Sequence, residues 1–187
     1  MKTKLLLALA LCQTLALLTA LGCGDDDGNT PGPGDPTEAP VLSDDETEYM
    51  QALATELATV NEQLENLDQF RSDAFSAGAN PSSAVSYGAA YVAYETARRD
   101  GIIALTSPDS LSTLHAALLA SAEDNVAFAN TQQQRLGESP PATEQQYQSL
   151  FFELDGSTIT QRFRDACGDL QARASAAGLD VDLACLR

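Results

Sequence analysis

The chain has 187 residues, of which 27 are Asp or Glu, 10 are Lys or Arg and one is His, for a formal net charge of −17. That balance excludes recognition of nucleic acid or anionic lipid through charge, because the protein's own field repels phosphate. With one His and no Trp, most metal-ion and nucleophile chemistries lack their usual residues, and the length allows one domain of ordinary size.

Residues 1–22 read as a targeting segment. Lys2 and Lys4, the only lysines, form a positive start; Leu5 to Leu21 is an apolar run broken by Cys12, Gln13, Thr14 and Thr19; small residues sit at Ala20 and Gly22, just before Cys23. This is the layout of a secretory signal peptide, cut after Gly22. The apolar run is about as short as a spanning helix can be, and the Gly-Cys-Gly that follows suits a cleavage site better than a helix end.

The quartet Ala20-Leu21-Gly22-Cys23 resembles the lipobox of bacterial lipoproteins, although its first two positions depart from the commoner Leu-then-small pattern. The resemblance implies diacylation of the Cys23 sulfur and acylation of the new amino terminus. Cysteine counting agrees with it. Cys12 leaves with the signal and Cys167 and Cys185 can pair, so without a lipid Cys23 would be a lone thiol in an oxidising compartment. Two or more acyl chains anchor a protein stably where one does not. In the same family, Asp directly after the lipidated Cys favours the inner membrane. Here that place is Gly24, which implies the outer membrane, and the acidic run Asp25-Asp26-Asp27 also resembles surface-export signals.

Residues 23–42, rich in Gly, Pro and Asp, have little to bury and read as a disordered tether. Such a spacer reaches roughly 25 Å as a coil and up to about 60 Å when stiffened by proline.

From residue 43 to 187 the spacing predicts an all-α domain, an antiparallel four-helix bundle. Ser43 and Glu46 have capping-box spacing, and Met50, Leu53, Leu57, Val60, Leu64 and Leu67 recur at helical steps up to the glycine stop at Gly78. Asn80-Pro81 opens a second helix that runs to about Leu105. Ser107-Pro108-Asp109 opens a third, marked by Leu111, Leu114, Leu118, Ala122, Val126, Ala129 and Leu136 and closed at Gly137. After Pro140-Pro141, Thr143 and Gln146 start a fourth, broken at Asp155-Gly156 and recapped by Thr158 and Gln161 until Gly178. Arms of 25–30 residues would be about 40–45 Å long. Many core positions are Ala, so the bundle needs length or a staple.

A Cys167–Cys185 disulfide supplies the staple. About 15 Å of helix separates Cys167 from Gly178, and the seven residues that follow cover about 23 Å when extended, enough to return. No CxxC is present, which argues against a redox-active pair. The ending from Phe163 to Cys185 looks like those of secreted bacterial helical proteins without an assigned function.

Few constellations carry chemistry. Tyr87, Tyr91, Tyr94 and Arg98 share one face of the second helix. They form a candidate binding face for a glycan, a peptide or an envelope protein, or else a core seam whose hydroxyls reach solvent. Met50 and His115 invite comparison with bundle cytochromes that ligate haem through Met and His, but there is no CxxCH, and Ser112 occupies the place where a di-iron Glu-x-x-His repeat needs Glu. No Gly-x-Ser-x-Gly turn marks a nucleophile, and paired carboxylates for glycosidic chemistry have only general acidity behind them. The expectation is therefore a lipid-anchored envelope protein, not an enzyme, with no cofactor and no metal. Its membrane contact is the amino-terminal lipid. A ligand or haem carrier is the alternative, and a carboxylate hydrolase a distant third.

Overall fold

A computed structural model describes residues 41–76 and 78–185. The expected signal peptide, Cys23 and the expected tether up to residue 40 lie outside them. The described residues are all-α, with no strand.

Helix α1 (Asp44–Asn61) starts on the predicted capping box: the Ser43 hydroxyl accepts from the Glu46 N–H, and the Glu46 carboxylate accepts from the Ser43 N–H. Asp44, Asp45 and Glu46 in its first turn complement the positive end of the helix dipole. The predicted first helix is in fact two. After Asn61 the chain tightens through an i→i−3 bond from the Gln63 N–H to the Val60 carbonyl, and α2 (Leu64–Ala74) begins. Neither Gly nor Pro marks this break, which is why the apolar spacing runs through it. Helix α2 ends at Ala74 with Phe75 as its cap, short of the expected stop; Gly78, at φ 84°, lies in the turn beyond it, closed by the Ala79 N–H on the Ser76 carbonyl, in the left-handed conformation that glycine adopts most easily.

Helix α3 (Pro81–Ile103) opens as predicted, with Asn80 Oδ1 accepting from the Ser82 N–H and Pro81 in the first turn. A 3₁₀ turn at Asp109–Leu111 leads into α4 (Ser112–Glu138). Thr143 caps α5 (Glu144–Glu153) through the Gln146 N–H. The recapping expected at Thr158 does not occur: α6 (Gly156–Ala176) begins directly after Asp155, which takes φ 59°, and Thr158 lies inside the helix. The corner is tight. A Cβ on Gly156 would fall 2.6 Å from the Phe151 ring and 2.7 Å from the Phe128 ring.

Helix α3 packs most extensively on α4, α4 on α6, and α1 and α2 on α3. Two clusters form the core. One gathers Met50, Leu53 and Leu57 of α1 with Ile102, Leu118, Phe163, Cys167 and Leu170. The other gathers Val60, Leu67 and Phe75 with Tyr87, Tyr94, Leu136, Tyr147 and Leu150. The carboxylate of Glu46, 5% exposed, ties three parts of the domain together: besides its capping bond it accepts from Ser110 Oγ at 3.0 Å and Arg173 at 3.2 Å.

Candidate functional site

The tyrosine strip of α3 faces inward. Tyr87 and Tyr94 are 4% and 2% exposed, and Tyr91 is partly buried. The three rings lie nearly parallel, with centroids 6.1 Å apart from Tyr87 to Tyr91 and 6.4 Å from Tyr91 to Tyr94. Phe75 crosses the Tyr87 ring edge-on at 5.5 Å and stacks on Tyr147 at 4.3 Å, and Phe128 meets Tyr91 edge-on. Aromatic pairs in such geometries stabilise beyond the area they bury.

Of the two readings of the strip, the burial of Tyr87, Tyr94 and Arg98 favours the core seam. Its hydroxyls do not simply reach solvent either. Tyr87 and Tyr147 share a hydrogen bond of 2.9 Å, Gln132 Nε2 donates to the Tyr147 hydroxyl at 3.4 Å, and Tyr94 donates to Asn61 Oδ1 at 3.1 Å. A buried phenol with a partner avoids the cost of an unsatisfied polar group, which lets tyrosines take positions that phenylalanines would otherwise fill. Burial lifts the pKa values of Tyr87, Tyr91 and Tyr94 above the usual phenol value.

Arg98, the fourth member of the strip, is 6% exposed and pairs with Glu95, 2% exposed, one turn earlier on α3. Its guanidinium lies 3.9 Å from the centroid of the Phe163 ring on α6 and 5.4 Å from that of Tyr94. A buried ion pair stacked on aromatic faces is an arrangement that suits Arg and not Lys. Burial holds the Glu95 carboxyl above the ordinary glutamate range, and Arg98 with the nearby Tyr91 hydroxyl offsets only part of that rise. On α4 the fully buried Asn125 donates to the Ser121 carbonyl at 2.8 Å. The pattern exposed the tyrosine and arginine spacing but carried no sign that Glu95, Asn125 and Gln132 are interior.

Met50 and His115 do not frame a ligand cavity. Met50 is sealed in the core among leucines, while His115 Nδ1 is held by the Tyr49 hydroxyl at 2.8 Å. Burial lowers the His115 pKa and raises that of Tyr49 to about 12. Among the described residues no group of three or more His, Cys, Asp or Glu is placed to hold a metal ion.

Among the surface depressions of the described residues, two border the ends of α1. A cleft of about 390 Å³ lies between the start of α1 and the α3–α4 connection, with Asp45, Glu48, Tyr49, Leu105 and Pro108 in its wall. A groove of about 630 Å³ runs along the α1–α2 break, where Asn61, Glu62, Glu65 and Asp68 face Asp182 of the carboxy-terminal tail. Cys167 and Cys185 are joined, with Cα atoms 5.5 Å apart, as the reach of the tail predicts. No family model, curated protein or solved structure matches the chain.

Proposed function

We propose that the protein is a lipid-anchored component of a bacterial cell envelope. In this reading it is exported by residues 1–22, acylated at Cys23, and held off the outer membrane by the acidic tether of residues 23–42. Its helical head is a binding or structural module and not an enzyme, with an envelope protein or glycan as the class of partner. The observation that carries the reading is the cysteine inventory. The chain has four cysteines. Cys12 belongs to the signal and Cys167 is bonded to Cys185, a pairing that suits an oxidising compartment, so Cys23 is the one thiol left over and it follows a lipobox-like triplet.

The head reads as an antiparallel four-helix bundle. The α1–α2 arm, α3, α4 and the α5–α6 arm would be its four members. Supporting this, Gly88 of α3 lies against Gln133 and Leu136 of α4, whereas Tyr91, further along α3, meets Phe128, earlier on α4. That order of contacts supports an antiparallel α3–α4 pair.

Intact mass of the membrane fraction tests the anchor. Acyl groups on Cys23 are expected, and a Cys23→Ala variant is expected to leave the membrane. Retention of that variant in the membrane would refute the lipoprotein reading.

A further inference from the structure

Beyond the turn that opens it, the carboxy-terminal tail, residues 179–185, is attached to α6 twice. One attachment is the cystine. The other is the side chain of Gln171, whose Nε2 donates to the Val181 carbonyl at 2.8 Å and whose Oε1 accepts from the Leu183 N–H at 2.8 Å. One amide thus meets the backbone of two alternate tail residues, as a neighbouring strand would. Between those two bonds the tail alternates. Leu183 turns inward and is fully buried in the cluster that holds Met50, Leu53, Leu57, Leu170 and Ala174, while Asp182 and Ala184 form one wall of the groove along α1 and α2. The turn before the tail is closed by the Leu179 N–H on the Ala174 carbonyl, with Gly178 at φ 73°.

We infer that the tail is a docked peptide, seated over α6 by Gln171 and by the Leu183 side chain, and that the disulfide locks a position the tail already holds. Gln171 is on this view a positioning residue: it brings Cys185, half-buried, to the fully buried Cys167 before the bond exists. Oxidation then needs only a disulfide co-reactant such as glutathione disulfide. The two protein thiols give up two electrons and two protons, the Sγ–Sγ bond forms, and two molecules of reduced glutathione leave. The two backbone-directed hydrogen bonds and the buried Leu183, with the partly buried Leu179, Val181 and Cys185 packed on the same cluster, work against the ordering entropy of the segment. On this view the lock guards a closed state and does not create it.

Amide hydrogen exchange at Leu183, measured under native conditions on the exported protein after reduction by a phosphine, tests this. The expected result is that the Leu183 amide stays protected in the reduced wild type and in Cys185→Ser, and exchanges about tenfold or more faster in reduced Gln171→Met, which keeps the side-chain length and loses both bonds. Protection of α3 and α4 amides in the same samples reports whether each variant is folded. If Gln171→Met does not fold, Cys185→Ser and the reduced wild type decide alone. Free-peptide exchange at Leu183 on reduction, or wild-type protection in a folded Gln171→Met, would overturn the inference. So would a disulfide-linked dimer on reoxidation from glutathione buffer, because it would mean that the tail leaves its seat for that of a second copy.

Discussion

Glu95 and Arg98 place two formal charges where the surroundings are aromatic and aliphatic. Such a pair is held by its mutual attraction and by the stacking of the guanidinium on Phe163 and Tyr94, and it suffers most when one partner is lost. Arg98→Met, which strands the carboxylate, is expected to lower the unfolding free energy by about 3–5 kcal/mol, read from urea denaturation. The double change Glu95→Leu/Arg98→Met should recover much of that loss. Glu46 acts in the opposite electrostatic sense. The Ser43 N–H, first, and then Arg173 and Ser110 hold its carboxyl below the ordinary glutamate range, against the effect of burial. The folded state thus binds its proton less readily than the unfolded state does. The stabilisation is present above the unfolded carboxyl value and fades as the pH falls through the lowered folded one. Glu46→Gln should therefore destabilise at neutral pH, and its urea midpoint should converge on that of wild type in acid. Of these residues the sequence disclosed the cap role of Glu46, since its spacing from Ser43 is local. Its bonds to Ser110 and Arg173 span the whole fold and leave no local trace.

At the scale of single elements, starts were more legible than breaks. Ser43, Asn80-Pro81 and Thr143 all begin helices where their chemistry predicts, because a cap is a contact between residues two or three apart. The break between α1 and α2 has no breaker residue, and the Asp155 corner is set by ring packing around Gly156 that only the folded chain assembles. Glycine substitutions separate these cases. Gly156→Ala pushes a methyl group into Phe151 and Phe128 and should cost about 1–3 kcal/mol. Gly168→Ala, within α6 and with no atom within 4 Å of the added Cβ, should instead stabilise by about 0.5–1 kcal/mol through helix propensity. Thermal unfolding of the two variants side by side should show shifts of opposite sign.

For the molecule as a whole, the all-α class and the cystine were readable from periodicity and reach, while the inward turn of the tyrosine strip was not. A row of tyrosines at helical spacing looks the same from the sequence whether α4 and α5 cover it or solvent does. Covering it took Phe128 and Gln132 from α4 and Tyr147 from α5, none of which is near it in the chain. The cystine closes its loop at a separation of 18 residues, and its loss through Cys167→Ala/Cys185→Ala should cost about 3 kcal/mol in the chain-entropy model, measurable by urea denaturation.

The covered strip has an optical corollary. All five tyrosines of the chain have their ionisation pushed upward, chiefly by burial, and there is no tryptophan to mask them. In the unfolded chain the same phenols ionise near pH 10. Phenolate formation is thus tied to unfolding: the folded state keeps its advantage below that pH and loses it as the pH rises further. An alkaline titration followed at 295 nm should accordingly be one steep step coincident with loss of helix, rather than five independent ionisations. The protein would report its own collapse by turning on tyrosinate absorbance all at once.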